Sequence, residues 1–146
     1  MYHFLNACKR IEDISCQIYQ LLSNERTYSK EVRKAFKQLS DDERAHANQI
    51  DLVVQANAME IKTLPTISDK SIKDALRHAE QMLRKVMEAK LSEKMALQLA
   101  VEMEKRFVGV HAHNALNFQN QKLTELFREL GKEDENHVDT LQECLT

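Results

Sequence analysis

The chain has 146 residues, a length that fits one domain with a continuous core. It contains only two glycines and one proline, and 30% of its residues are charged, which is typical of amphipathic helices. The formal net charge of −2 argues against a nucleic-acid partner, because such proteins usually carry a basic patch.

The predicted elements are four long amphipathic helices and one additional helical stretch, in a single domain over residues 1–146. In chain order they are helix A over Tyr2–Ser23, helix B over 29–58, a connection over 59–69 that contains Pro65, a helical stretch over 71–89, helix C over 92–117 and helix D over Gln121–Leu145. Ser92 is predicted to cap helix C. No apolar run approaches the roughly 20 residues that span a bilayer, so no membrane partner is expected.

The lengths of the connections favour one arrangement of these helices. Helices A and B are joined by a short connection, as are helices C and D, whereas the connection from B to C is long. Two hairpins joined by one long crossover form the ferritin-like version of the all-α antiparallel four-helix bundle, here with an extra helix in the crossover. An up-down bundle with a fifth helix fits the periodicity nearly as well.

Each of the four predicted core stripes is interrupted near its middle by a carboxylate. In helices B and D a histidine follows three residues later, at the next core position. The six residues are Glu12, Glu43, His46, Glu104, Asp134 and His137. An unpaired ionised carboxylate in an apolar core is very costly, whereas metal ions would balance the charge of four carboxylates. Carboxylate together with neutral imidazole suits iron, manganese or zinc.

The same pattern occurs twice along the chain. Glu12 precedes Glu43 by 31 residues, and Glu104 precedes Asp134 by 30. Two such hairpins packed about a pseudo-twofold axis would direct six ligands inward, enough for two metal ions with open positions for water, dioxygen or hydrogen peroxide. The alternative is a purely structural network of buried ion pairs, which would stabilise poorly because desolvation offsets the Coulomb attraction.

Four segments carry a resemblance to a known family. They are Glu12-x-x-Ser15-x-x-Ile18-Tyr19, VRKAFKQLSDDERAH over 32–46, ALQLAVEMEKRF over 96–107 and LFRELGKEDENH over 126–137. With these segments the chain resembles the rubrerythrin-like branch of the ferritin-like superfamily. The resemblance implies a di-iron site with one glutamate from each of helices A and C and a Glu-x-x-His pair from each of helices B and D.

Three features depart from the family pattern. Asp134 stands where a longer glutamate is usual, and Glu133 is the substitute ligand if Asp134 does not reach the metal. No cysteine-rich rubredoxin segment follows, so electrons would come from a separate donor protein. His111 occupies a position where the family often has tyrosine. We expect Tyr19 and His111 to pack in the core with satisfied polar tips; the alternative is that they orient metal ligands by hydrogen bonds.

The resemblance implies a peroxidase-like or ferroxidase-like oxidoreductase that reacts with dioxygen or hydrogen peroxide in oxidative stress or iron handling. The alternative is a non-catalytic or metal-degenerate bundle that acts as a structural metal-binding or protein-interaction module. The first ten residues lack the apolar segment of a signal peptide, so a cytoplasmic protein is expected. A homodimer is expected from the preference of proteins for closed symmetry, and a storage cage is the weaker expectation.

Overall fold

A computed structural model of the chain describes residues 1–64, 70–115 and 118–146. Within these ranges the chain forms six α-helices and no strand. The helices are α1 over Tyr2–Ser23, α2 over Lys30–Ala56, α3 over Ala58–Thr63, α4 over Lys70–Glu88, α5 over Glu93–Ala115 and α6 over Gln121–Leu145. None of these described helices combines the length and the apolar composition needed to cross a membrane.

Polar side chains before three of the helices fix where those helices begin. The Ser29 hydroxyl accepts a hydrogen bond from the Val32 amide, and the Asn120 side chain accepts one from the Leu123 amide. The Ser92 hydroxyl accepts from the amide of Met95 at 3.2 Å, which confirms the predicted cap. Such caps satisfy amide groups that have no partner in the first helical turn.

The helices form two hairpins joined by a long crossover. Helix α1 packs along α2, and α5 packs along α6. Helix α2 also contacts α6, and α4 lies against α1 and α5. This all-α, ferritin-like bundle with an extra helix in the crossover confirms the predicted fold class.

Two aromatic clusters fill the bundle on either side of its middle. Phe4, Phe118 and Phe127 pack together, with ring centroids 4.8 to 6.2 Å apart. Farther along α1, Tyr19 stacks on Phe36 at 6.0 Å. The polar residues of the predicted site therefore lie between two apolar layers that exclude water.

The end of α2 differs from the prediction. Helix B was expected to continue to residue 58, but α2 ends at Ala56. The backbone of Asn57 departs from helical geometry, with φ −123° and ψ 23°, and its side chain donates to the Val53 carbonyl at 2.8 Å. The short helix α3 then occupies the start of the expected connection, anchored by the buried Ile61. Residues 65–69 of that connection, with Pro65, and the last two residues of predicted helix C lie outside the described residues.

Candidate metal centre

All six candidate ligands converge in the middle of the bundle, and none is more than 4% exposed. They form two overlapping groups in which one potential ligand atom per residue lies within 4.8 Å of the others. The first group is Glu12, Glu43 and His46; the second is Glu43, Glu104, Asp134 and His137. Glu43 belongs to both groups and is therefore the residue placed to connect two metal positions.

The distances between donor atoms match those around a metal ion. His46 Nδ1 lies 3.4 Å from Glu43 Oε2 and 3.5 Å from Glu12 Oε2. His137 Nδ1 lies 3.1 Å from Glu43 Oε1 and 3.5 Å from Glu104 Oε1. Ligands about 2.1 Å from an ion are separated by about 3.0 Å in octahedral and about 3.4 Å in tetrahedral geometry. The imidazole and carboxylate atoms thus already have the spacing of a coordination shell.

Most of the inward-facing atoms have no hydrogen-bond partner. They are both carboxylate oxygens of Glu12 and of Glu43, Oε2 of Glu104, Oδ1 of Asp134, and Nδ1 of His46 and of His137. A buried polar atom without a partner costs about 1–3 kcal/mol, so a cluster of them is expensive. One or two cations in the middle would satisfy these atoms together. The donor set therefore fits a metal centre rather than a closed network of ion pairs.

An acidic residue of the opposite hairpin holds the outer nitrogen of each histidine. His137 Nε2 on α6 lies 3.2 Å from Asp42 Oδ2 on α2. His46 Nε2 on α2 contacts the Glu133 carboxylate on α6. A carboxylate that accepts the Nε2 proton leaves the Nδ1 lone pair for a metal.

The sequence contains a signal for these two acidic partners. Each one directly precedes a candidate ligand carboxylate, in Asp42-Glu43-x-x-His46 and in Glu133-Asp134-x-x-His137. The role of Asp42 was not predicted from the sequence, and Glu133 was expected only as a substitute ligand. The structure places Glu133 behind His46, half-exposed, while Asp134 itself joins the second group.

Comparison with known proteins identifies the family. The family model for rubrerythrin matches residues 3–145. The chain belongs to the rubrerythrin family. The members of this ferritin-like family are di-iron carboxylate proteins, so membership implies binding of two metal ions, and the buried groups could hold them. Comparisons with curated proteins and with solved structures gave no match.

Two further polar residues complete this rubrerythrin-family centre. Tyr19 donates from its hydroxyl to Glu104 Oε1 at 2.6 Å. His111 Nδ1 lies 2.6 Å from Asp134 Oδ2, and its Nε2 lies 3.2 Å from Glu12 Oε1. Tyr19 and His111 are fully buried, as expected of core residues, and both also contact candidate ligands.

Tyr19 and His111 are equivalent in the repeated pattern. Each lies seven residues after the single glutamate of its own hairpin and contacts the single glutamate of the other hairpin. The second contact of His111, to Asp134, has no equivalent around Tyr19 among the described hydrogen bonds. Asp134 and His111, the two residues expected to differ from the family pattern, are thus in direct contact.

Burial and mutual repulsion set the charges of the carboxylates. Burial and the charges of Glu12 and Glu104 raise the pKa of Glu43 well above its usual range. Burial also acts to raise the pKa of Glu12, but contacts with Glu43, His111 and His46 outweigh it and hold the pKa well below the ordinary value. Burial raises the pKa of Asp134 to about 7 against the opposing effect of His111. Glu43 is therefore the carboxylate that binds a proton more readily, and its neighbour Glu12 is the one that gives up a proton more readily.

The histidines hold protons in the absence of metal. Burial favours neutral imidazole, but the neighbouring carboxylates outweigh it. They raise the pKa of His46 to about 11 and that of His137 to about 9, mainly through Glu12 and Glu43 for the former and through Glu104 for the latter. A metal ion that bound through Nδ1 would displace a proton from each imidazole, so its binding would be coupled to proton release.

A surface cavity reaches the outer side of the candidate centre. It lies between α2 and α6, has a volume of about 390 Å³, and is lined by residues that include Ala35, Gln38, Asp42, Glu133, Asn136 and His137. His137 is the one candidate ligand among the residues that line it. Small solutes in this cavity can therefore reach the His137 side chain, while its Nδ1 atom stays buried.

Proposed function

We propose that this rubrerythrin-family chain is an oxidoreductase with a di-iron centre, of the peroxidase-like or ferroxidase-like type, that acts in oxidative stress or iron handling. One observation carries the proposal: two overlapping groups of buried carboxylate and imidazole side chains share Glu43, and most of their inward-facing atoms have no hydrogen-bond partner. Family membership favours iron over manganese or zinc.

Each group would hold one ion, the first through Glu12, Glu43 and His46 and the second through Glu43, Glu104, Asp134 and His137. When bound, iron supplies one electron from each ion to dioxygen or hydrogen peroxide. The protein would position the side chains that surround the iron. Asp42 and Glu133 hold the outer imidazole nitrogens, so that both Nδ1 atoms stay directed inward.

The surroundings of the centre support chemistry with a small oxidant. The aromatic clusters on either side exclude water from the bundle interior. The cavity between α2 and α6 ends at His137 and far exceeds the roughly 30 Å³ that one water molecule occupies. Dioxygen and hydrogen peroxide are small enough to enter by this route. The Tyr19 hydroxyl, bonded to Glu104, restrains that carboxylate in its inward position.

The proposal extends to partners and location. Electrons for turnover come from a separate donor protein, because the centre holds only the electrons of its two metal ions. The chain functions in the cytoplasm, where its three free cysteines stay reduced. A homodimer is the assembly that we propose, in line with the general preference for closed twofold symmetry.

A non-catalytic metal-binding bundle is the second candidate. It is favoured by one observation, the tie between Asp134 and His111, which fixes a carboxylate that would otherwise be free to shift. A rigid centre of this kind suits a structural ion of one oxidation state.

Metal analysis tests the proposal first. Untagged protein from iron-supplemented cells is compared with a Glu43→Ala/Glu104→Ala variant and with a surface control, Glu31→Ala/Glu129→Ala. We expect about two irons per chain in the wild type and the control, and almost none in the first variant. Equal iron in all three proteins, or substoichiometric iron in the wild type, would contradict the di-iron assignment.

Catalysis needs its own measurement. The reduced, iron-loaded protein is mixed with hydrogen peroxide or with dioxygen, and oxidation of the centre is followed by stopped-flow absorbance. Oxidation faster than that of free ferrous iron supports the oxidoreductase. Loaded protein that does not react with either oxidant would instead support the structural bundle.

A further inference from the structure

The two groups of donors are unequal. Four residues contribute to the group around His137, but only three contribute to the group around His46. The two halves of the chain would be equivalent if Asp134 connected both groups as Glu43 does. Asp134 belongs to the second group alone.

The contacts of Asp134 explain this difference. Its Oδ2 is held by His111 Nδ1 at 2.6 Å, and its Oδ1 faces His137 Nδ1 at 3.9 Å. Glu43, its counterpart, has one oxygen 3.4 Å from His46 Nδ1 and the other 3.1 Å from His137 Nδ1, and both oxygens lack a hydrogen-bond partner. Aspartate is one methylene shorter than glutamate, so the Asp134 carboxylate cannot contact His111 and also reach both groups of donors.

The ring of His111 is fixed in its place. It lies between Phe107 and Phe127, with ring centroids 6.5 and 5.6 Å away. The α6 backbone packs closely on it, since a Cβ atom at Gly131 would lie 3.6 Å from the Cβ of His111. Its Nε2 also lies 3.2 Å from Oε1 of Glu12, a ligand of the first group. His111 therefore withholds Asp134 from the first group and competes for one of that group's own oxygens.

We propose that His111 is a positioning residue that makes the two metal positions unequal, so that the position at Glu43, Glu104, Asp134 and His137 fills before the position at Glu12, Glu43 and His46. The inference rests on the proposed metal binding by these residues. Its consequence is ordered loading: at limiting metal each chain holds one ion at a known position, and the pair forms only at higher metal concentration.

Cobalt(II) is the probe for this order, because it binds mixed carboxylate–imidazole sites, is stable in air and scatters anomalously. Metal-free protein is titrated by calorimetry and crystallised with one equivalent of the ion. We expect two binding steps whose dissociation constants differ at least about tenfold, and one anomalous peak in the second group. Two equal steps, equal peaks, or a single peak in the first group would overturn the inference. No cobalt binding at all would instead contradict the proposed function.

Two variants test the role of His111 itself. Asp134→Glu lengthens the carboxylate so that it reaches both groups, and Asp139→Glu on the exposed face of α6 is its control. His111→Gln releases Asp134 and Glu12, and His3→Gln, at an exposed position of α1, is its control. We expect His111→Gln to weaken the tight step by about 10–100-fold, as is usual for residues behind metal ligands, and Asp134→Glu to strengthen the weak step.

Both variants should therefore bring the ratio of the two dissociation constants closer to one. A general loss of stability would not change this ratio. An unchanged ratio in both variants would remove His111 from the explanation. If one variant does not fold, the other variant and the crystals of wild-type protein with one equivalent of cobalt still decide.

Discussion

Asp42 Oδ2 on α2 lies 3.2 Å from His137 Nε2 on α6, so each of these two residues from different hairpins determines the orientation of the other. The preceding residue, Asp41, has the same chemistry but faces solvent and pairs with Lys37 at 2.7 Å. Of these two adjacent aspartates, Asp42 reaches across to the other hairpin and Asp41 does not, which makes them a natural pair for mutation.

Replacing Asp42 with alanine should weaken metal binding. Without an acceptor for the Nε2 proton, the His137 ring loses its fixed orientation and tautomer, and we expect a loss of about 10–100-fold in affinity for the second group. Equilibrium dialysis with cobalt(II) measures the effect. Asp41→Ala is the control and should bind cobalt like the wild type; equal losses in the two variants would point to a general surface-charge effect.

Tyr19→Phe should affect the centre, and Tyr28→Phe should affect only stability. Tyr19 donates to the Glu104 carboxylate at 2.6 Å, whereas Tyr28 donates to the Leu91 carbonyl at 2.7 Å, away from the candidate ligands. We expect a loss of unfolding free energy of about 1.5–3 kcal/mol for the bond to a charged group and about 0.5–1.5 kcal/mol for the other. Urea denaturation gives both values. Only Tyr19→Phe should also lower metal affinity, and unchanged affinity would show that the Tyr19 hydroxyl does not restrain Glu104.

Glu43→Gln should stabilise the protein in the absence of metal and abolish its stabilisation by metal. The pKa of Glu43 is raised by burial and by neighbouring carboxylates, so neutral glutamine avoids the cost of protonating or charging this group. Thermal unfolding with chelator and with cobalt(II) tests both effects. Glu129→Gln, at an exposed position of α6, should change neither curve. A lower melting temperature of Glu43→Gln in chelator would contradict the expected repulsion.

Stabilisation by metal should grow as the pH rises from about 6.5 to 9. The pKa values of His137 and His46 are raised in the folded protein to about 9 and about 11, above the unfolded value near 6.5. A group whose pKa is raised by folding contributes stability at pH values below its pKa in the unfolded chain. That stability is lost as the pH rises through its pKa in the folded protein.

The metal-free protein therefore becomes less stable across this window, while metal binding strengthens because it requires neutral imidazole. The pKa of Asp134 is raised to about 7, so the metal-free protein also loses the stability contributed by its protonated carboxyl as the pH rises through this value. Melting temperatures with and without cobalt(II), recorded at several pH values, measure the stabilisation by metal. A difference in melting temperature that stays constant or shrinks with increasing pH would contradict the pKa shifts described above.

Asn136→Trp should slow access to the centre without changing its final occupancy. Asn136 lines the cavity that ends at His137, and an indole ring would fill much of that space. Stopped-flow mixing with cobalt(II) should show slower binding, with the same stoichiometry at equilibrium. Lys132→Trp adds the same ring on the exposed face of α6, outside the residues that line this cavity, and should leave the rate unchanged. Equal rates in both variants would place the entry route elsewhere.

The sequence predicted those features that depend on one helix at a time. The bounds of α1 and α6 and the position of Glu12 and Asp134 on core stripes follow from periodicity within a single helix. The break at Asn57 was not predicted, because no glycine or proline marks it and packing of the buried Ile61 accompanies it.

Features that depend on pairs of helices could not be predicted in this way. Asp42 lies off the core stripe of α2 and gains its role only because α6 packs alongside. The contact between His111 and Asp134 likewise depends on the register of α5 against α6, and one sequence does not reveal that register. The repeated pattern predicted that the six candidate ligands meet in the core. It did not predict that His111 would hold one of them, Asp134.

The exchange of acidic partners between hairpins has a consequence for the order of folding. Contacts within the α1–α2 hairpin and within the α5–α6 hairpin are local in sequence, and local contacts form early. The Nε2 atoms of His46 and His137 contact carboxylates of the opposite hairpin, so we expect the centre to be assembled only after the two hairpins dock. An ion held there ties together segments far apart in the chain. Its release should precede global unfolding, and the rate of unfolding should fall steeply once both hairpins are joined by metal.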